Sequence, residues 1–116
     1  MSVFNLNGRR FYPVHNTVNG TVTDDTIFHF SQSGENITAD YAGGDIEIGH
    51  ITGLFMKPDT AILLYHCLTT EGELKAGRAD AHFSLNEAGT ICIDMQWQWL
   101  SGDKTSGTSH YEEISD

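Results

Sequence analysis

Apolar residues recur at every second position, in short runs bounded by turn residues, and this pattern limits the fold more than any other feature of the chain. Between positions 90 and 100 the odd positions hold Ile91, Ile93, Met95, Trp97 and Trp99, and the even ones include Asp94, Gln96 and Gln98. Successive side chains of a strand point to opposite faces, so a period of two marks a half-buried strand. Ile37, Ala39 and Tyr41 alternate with Asn36, Thr38 and Asp40, and Ile46, Ile48 and His50 alternate with Asp45, Glu47 and Gly49. Eight such runs can be read, roughly 9–15, 25–32, 36–42, 45–57, 60–69, 73–85, 90–100 and 105–114. The punctuation between them is Asn19-Gly20, Ser33-Gly34, Gly43-Gly44, Lys57-Pro58-Asp59, Glu71-Gly72, Ala88-Gly89 and Ser101-Gly102-Asp103. Glycine tolerates positive φ and proline presets the second position of a turn. Short connections make successive strands antiparallel neighbours. The expectation is an all-β domain spanning 1–116: an antiparallel up-and-down meander of about eight strands that closes into a barrel. By propensity alone, residues 78–88 also suit a short helix.

Two runs can be paired in advance. If Glu87-Ala88-Gly89 closes a hairpin, Phe83 faces Ile93, Ala81 faces Met95, Ala79 faces Trp97 and Gly77 faces Trp99. Small residues opposite large ones fill an enclosed space without overlap. The other face then carries Arg78, Asp80 and His82 beside Asp94, Gln96 and Gln98, which suits solvent.

A barrel of about eight strands has room for side chains or one small ligand. Parity directs Tyr41, Tyr65, Cys67, Trp97 and Trp99 inward, with His50 and Thr52 joining them if the fourth run keeps Ile46 and Ile48 inside. Tyr and Trp offer an apolar body with one hydrogen-bonding tip, a lining suited to a ligand cavity. The candidate ligand-binding set is Tyr41, His50, Tyr65, Cys67, Trp97, Trp99 and Ser109. The competing reading is that the same rings simply fill the core. On the fifth run Ile62, Leu64, His66 and Leu68 point outward. This apolar stripe is either a homodimer surface or a face covered by the N-terminal segment with Val3, Phe4 and Leu6.

The 16 acidic against 6 basic residues give a net charge of −10, which opposes binding to nucleic acid or to an anionic membrane. No apolar run is long enough to span a bilayer. The start of the chain lacks the apolar core of a signal peptide, and Cys67 and Cys92 do not make a disulfide framework, so a cytoplasmic protein is expected. There is no P-loop, dinucleotide fingerprint or nucleophile elbow, so no cofactor and no catalytic residue is assigned. None of the six histidines stands at the close spacing of a zinc motif, and no metal ligand is assigned, although separate strands can bring ligands together. Asp24-Asp25 and Glu112-Glu113 read as solvated charge.

An ordered set of segments covers nearly the whole chain: Gly8-Arg9-Arg10-Phe11; Tyr41-Ala42-Gly43-Gly44 followed by Ile46 and Gly49; Gly72-Glu73-Leu74 with Gly77-Arg78; and Trp97-Gln98-Trp99 with Ser101-Gly102-Asp103 and Gly107. This set resembles a family of small, mostly bacterial proteins of uncharacterised function, whose members often carry the label N-acetylglutamate synthase. The resemblance implies a lipocalin- or streptavidin-like barrel and transfers no catalytic residue. The label implies acetyl transfer to glutamate. An acetyltransferase of the usual type needs a Gly-rich strand-to-helix turn for the coenzyme pyrophosphate, and the chain offers none. Small-molecule binding is thus the leading expectation, with enzyme and protein-interaction module as alternatives.

Overall fold

The computed structural model describes residues 4–16, 25–101 and 104–114. Eight strands follow in order: β1 (Arg10–Asn16), β2 (Ile27–Ser33), β3 (Asn36–Gly43), β4 (Ile46–Lys57), β5 (Thr60–Thr69), β6 (Leu74–Leu85), β7 (Ile91–Trp99) and β8 (Ser106–Glu113). Each pairs antiparallel with its sequence neighbour, and β1 pairs with β8 to close the barrel. Closure leaves no sheet edge to pair with another chain. The strand bounds lie within about two residues of the runs read from alternation. Residues 78–85 belong to β6, so their helical propensity is overridden by a face that has to alternate. The Asn19-Gly20 turn and most of Ser101-Gly102-Asp103 lie outside the described residues.

The β6–β7 register is the expected one: Phe83 faces Ile93, Ala81 faces Met95, Ala79 faces Trp97 and Gly77 faces Trp99. On β5, Leu63, Tyr65 and Cys67 turn inward while Leu64 and His66 turn out. Val3 lies outside the described residues, and the described part of the N-terminal segment does not cover that outer face. Instead Leu6 is fully buried in the core and the Phe4 ring packs 5.9 Å from Phe83.

One parity expectation is wrong. Ile46 is buried, but Ile48, His50 and Thr52 lie on the outer face, and Gly49, Ile51 and Phe55 take the inner positions. The cause is a bulge in β4. Ile46 pairs with Thr69 and Ile48 with the adjacent Leu68, so β4 carries one extra residue there. The pairing with β3 shows the same step, from Gly43–Ile46 to Tyr41–Gly49. An extra residue flips every later side chain to the opposite face.

The bulge brings Gly49 to the inner face, and it and Gly77 of β6 stand where large rings need space. Tyr41 lies opposite Gly49 and Tyr65 opposite Gly77. A Cβ on Gly49 would sit 2.3 Å from the Tyr41 ring, and one on Gly77 would sit 2.4 Å from the Tyr65 ring. Each ring therefore covers the bare backbone of its cross-strand partner. The Tyr41 ring is also stacked on Phe28 at 4.7 Å, so it has little freedom to yield. Gly49→Ala is expected to destabilise the protein by about 1–3 kcal/mol, the usual cost of overpacking. Denaturant unfolding measures this, and an unchanged midpoint would show that the ring moves aside freely.

Candidate functional site

The interior has two unlike halves. At the end formed by the β2–β3, β4–β5 and β6–β7 turns, the filling is aliphatic and Phe: Leu6, Phe11, Phe30, Ile37, Phe55 and Phe83 are all buried. Phe11 meets Phe30 edge-on at 5.2 Å and Phe55 meets Phe83 at 5.1 Å. The backbone N–H of Leu6 donates to Gln32 Oε1 at 2.9 Å, which fixes the N-terminal segment across this end.

Toward the other end the inner residues gain polar tips. Here β3 contributes Tyr41, β5 contributes Tyr65, Cys67 and Thr69, β7 contributes Trp97 and Trp99, and β8 contributes Ser109 and Tyr111. Tyr65 is half-buried and the others are buried. Trp99 lies edge-to-face with Tyr65 at 5.4 Å and beside Trp97 at 5.9 Å. The Lys75 ammonium stands 4.3 Å above the Trp99 ring, a cation–π contact at the rim.

Several of these tips are paired inside the protein. The Ser109 hydroxyl donates to Tyr111 Oη at 2.9 Å, and the Tyr41 hydroxyl makes a long bond of 3.4 Å to the His66 carbonyl. Trp99 differs. Its indole Nε1 is buried and has no hydrogen-bond partner among the described residues. A buried donor without an acceptor costs about 1–3 kcal/mol, so this group marks a place where an acceptor from outside the chain would be favourable.

Burial shapes the acid–base character of the same half. It pushes the Tyr41 and Tyr65 phenols well above their ordinary value, with the neighbouring Cys67 adding to the shift at Tyr41. Tyr111 is pushed up to about 12, again by burial, which the bond from Ser109 only partly offsets. Burial likewise raises the Cys67 thiol. These groups are neutral hydrogen-bonding tips near neutral pH.

Of the residues expected inside, Tyr41, Tyr65, Cys67, Trp97, Trp99 and Ser109 come together in this half. His50 does not. It lies outside, where its Nδ1 is 2.7 Å from Asp40 Oδ1 and its ring is 5.5 Å from that of His66. Tyr111, Thr69 and Lys75 share this half of the barrel and are not among the residues that sequence reasoning selects. Tyr111 was within reach of the same parity rule, two positions after Ser109.

Residues 4–114 match the model of a family described as avidin-like protein. No curated protein and no solved structure gives a match.

The buried phenols set an alkaline limit on stability. An unfolded Tyr111 would ionise near its ordinary value of 10.0, whereas the folded one holds its proton to about 12. Its contribution is therefore complete below pH 10 and is lost as the pH rises through 12. Denaturant midpoints should fall steadily over that window, and Tyr111→Phe should flatten the fall. A midpoint that stays level to pH 12 would contradict the assignment.

Proposed function

From the premise that the chain belongs to the avidin-like family, we propose that the barrel binds a small molecule in its aromatic half. The observation that carries this reading is the unpartnered Trp99 Nε1, buried among polar-tipped rings. A fitting ligand is uncharged where it is buried, because the buried side chains among the described residues are uncharged and Lys75 stands only at the rim. It carries a hydrogen-bond acceptor for the indole N–H. Cys67 and Ser109 supply further short polar contacts. The family binds small molecules such as biotin, which makes biotin the first probe.

The acetyltransferase reading has less support. All the regular elements among the described residues are strands, so no helix N-terminus is present there to hold a coenzyme pyrophosphate. The raised phenols and thiol are also poorly suited to general base work near neutral pH.

Calorimetric titration with biotin, alongside a tryptophan-fluorescence screen of small heterocycles, tests the binding reading. The bound compound should lose about tenfold or more in affinity in Trp99→Phe, which removes the N–H and keeps an aromatic ring; tenfold corresponds to about 1.4 kcal/mol. Equal affinity in the variant, or a crystal structure whose interior is filled by side chains, would overturn it.

We also propose that the barrel self-associates through the outer face of β4 and β5. Ile48, Leu54, Met56 and Leu64 are 49%, 44%, 59% and 55% exposed there, and strand pairing sets Thr52 beside Leu64 and Leu54 beside Ile62. Exposed apolar side chains clustered on one face favour burial against a second copy. Sedimentation velocity should show a dimer that Leu64→Arg converts to monomer. A monomeric wild-type protein at high concentration would count against this.

A further inference from the structure

Elsewhere on the barrel the outer faces of β7 and β8 bring together residues of a different kind. Strand pairing sets Cys92 beside Glu112 and Asp94 beside His110. Cys92 breaks the alternation of β7: it lies between the inward Ile91 and Ile93, yet it is only 4% exposed. Cys92 Sγ, a nitrogen of His110 and a carboxylate oxygen of Glu112 all lie within 4.8 Å of one another. His110 Nδ1 is held by Asp94 Oδ1 at 2.6 Å, and its other nitrogen, Nε2, faces Glu112 Oε2 at 3.8 Å.

We propose that Cys92, His110 and Glu112 form a binding site for a divalent transition-metal ion of the zinc class. The donor set is what such an ion selects: one thiolate, one imidazole and one carboxylate, on adjacent strands of a rigid sheet. Tetrahedral zinc geometry places such donors about 3.4–3.6 Å apart, so the three side chains need to close by only about 1 Å. The Asp94–His110 contact adds what a metal-bound histidine ordinarily has, a carboxylate on the far ring nitrogen that fixes the tautomer and aims Nε2 at the ion. Three protein ligands leave a fourth position for water or another donor. His110 also lines an outer cleft of about 390 Å³ that it shares with His15 and His82.

The local electrostatics favour a cation. Burial, followed by the charges of Glu112 and Asp94, raises the Cys92 thiol above its ordinary value. Those carboxylates oppose a bare thiolate and attract a divalent ion. When the ion binds, the S–H bond breaks, the thiol proton passes to solvent and the sulfur lone pair forms the metal bond. The bound ion would also cross-link β7 to β8, independently of any ligand inside the barrel.

Cobalt(II) titration of the reduced full chain, with zinc(II) calorimetry in parallel, tests this. The wild-type protein is expected to bind one zinc ion at this site, and its cobalt form to show a thiolate-to-cobalt charge-transfer band that zinc abolishes. Cys92→Ser should lose the band and at least tenfold in zinc affinity. Asp94→Asn, which loosens the hold on His110 and removes one neighbouring negative charge while leaving all three ligands in place, should keep the band and weaken zinc about tenfold or more. Absence of the band in the wild-type protein overturns the proposal, whether or not the variants fold. So does zinc affinity left unchanged by Cys92→Ser, which would place the ion on other surface histidines.

Discussion

Closure of the hydrogen-bonded ladder, with β1 returning to pair with β8, is the constraint on which everything else rests. Once the last strand meets the first, inside and outside are fixed for every residue. The interior has to be filled at a set diameter, and this explains why bulk and its absence are matched across strands. Tyr41 opposite Gly49, Tyr65 opposite Gly77 and Leu63 opposite Gly53 are three solutions of the same problem on three neighbouring strand pairs. In each, a Cβ on the glycine would stand within 2.4 Å of the facing side chain. The outside carries no such volume limit. It holds charged rows on one side and aliphatic residues on another.

Much of this was legible in the sequence because alternation is a local signal. The order of apolar and polar residues in 91–99 carries the orientation of β7, and the hairpin at Ala88-Gly89 transfers it to β6 with the correct partners. The reading failed at β4 for a reason that alternation cannot contain. Ile46, Ile48 and His50 keep a perfect period of two, yet a single bulged residue moves the second and third to the outer face. The glycines were the overlooked clue. Gly49 and Gly53 occupy inner positions beside Tyr41 and Leu63, where a period-two reading had placed them outside.

The outer cluster was hidden for another reason. Glu112 read as solvated charge and Cys92 as an isolated thiol, because motif spacing along the chain is blind to strand pairing. Cys92 and Asp94 are two apart on one strand, and His110 and Glu112 two apart on the next, so all four share a face once the strands are in register. Placing β8 against β7 needs the connection between them to be known, and residues 101–105 carry no unambiguous turn length. The avidin-like family match agrees with the barrel and says nothing about this face.

Leu6 and Phe4, set across the aliphatic end, have a consequence for how any guest is oriented. With that end stoppered by Leu6 and roofed by the Phe4–Phe83 contact, the barrel behaves as a cup and not as a tube. On the proposed binding reading, a guest would enter and leave at the aromatic end, its less polar portion leading toward the Phe-lined end and its polar portion remaining near Lys75. Which end of the guest leads would then be set by the barrel before any individual contact is made.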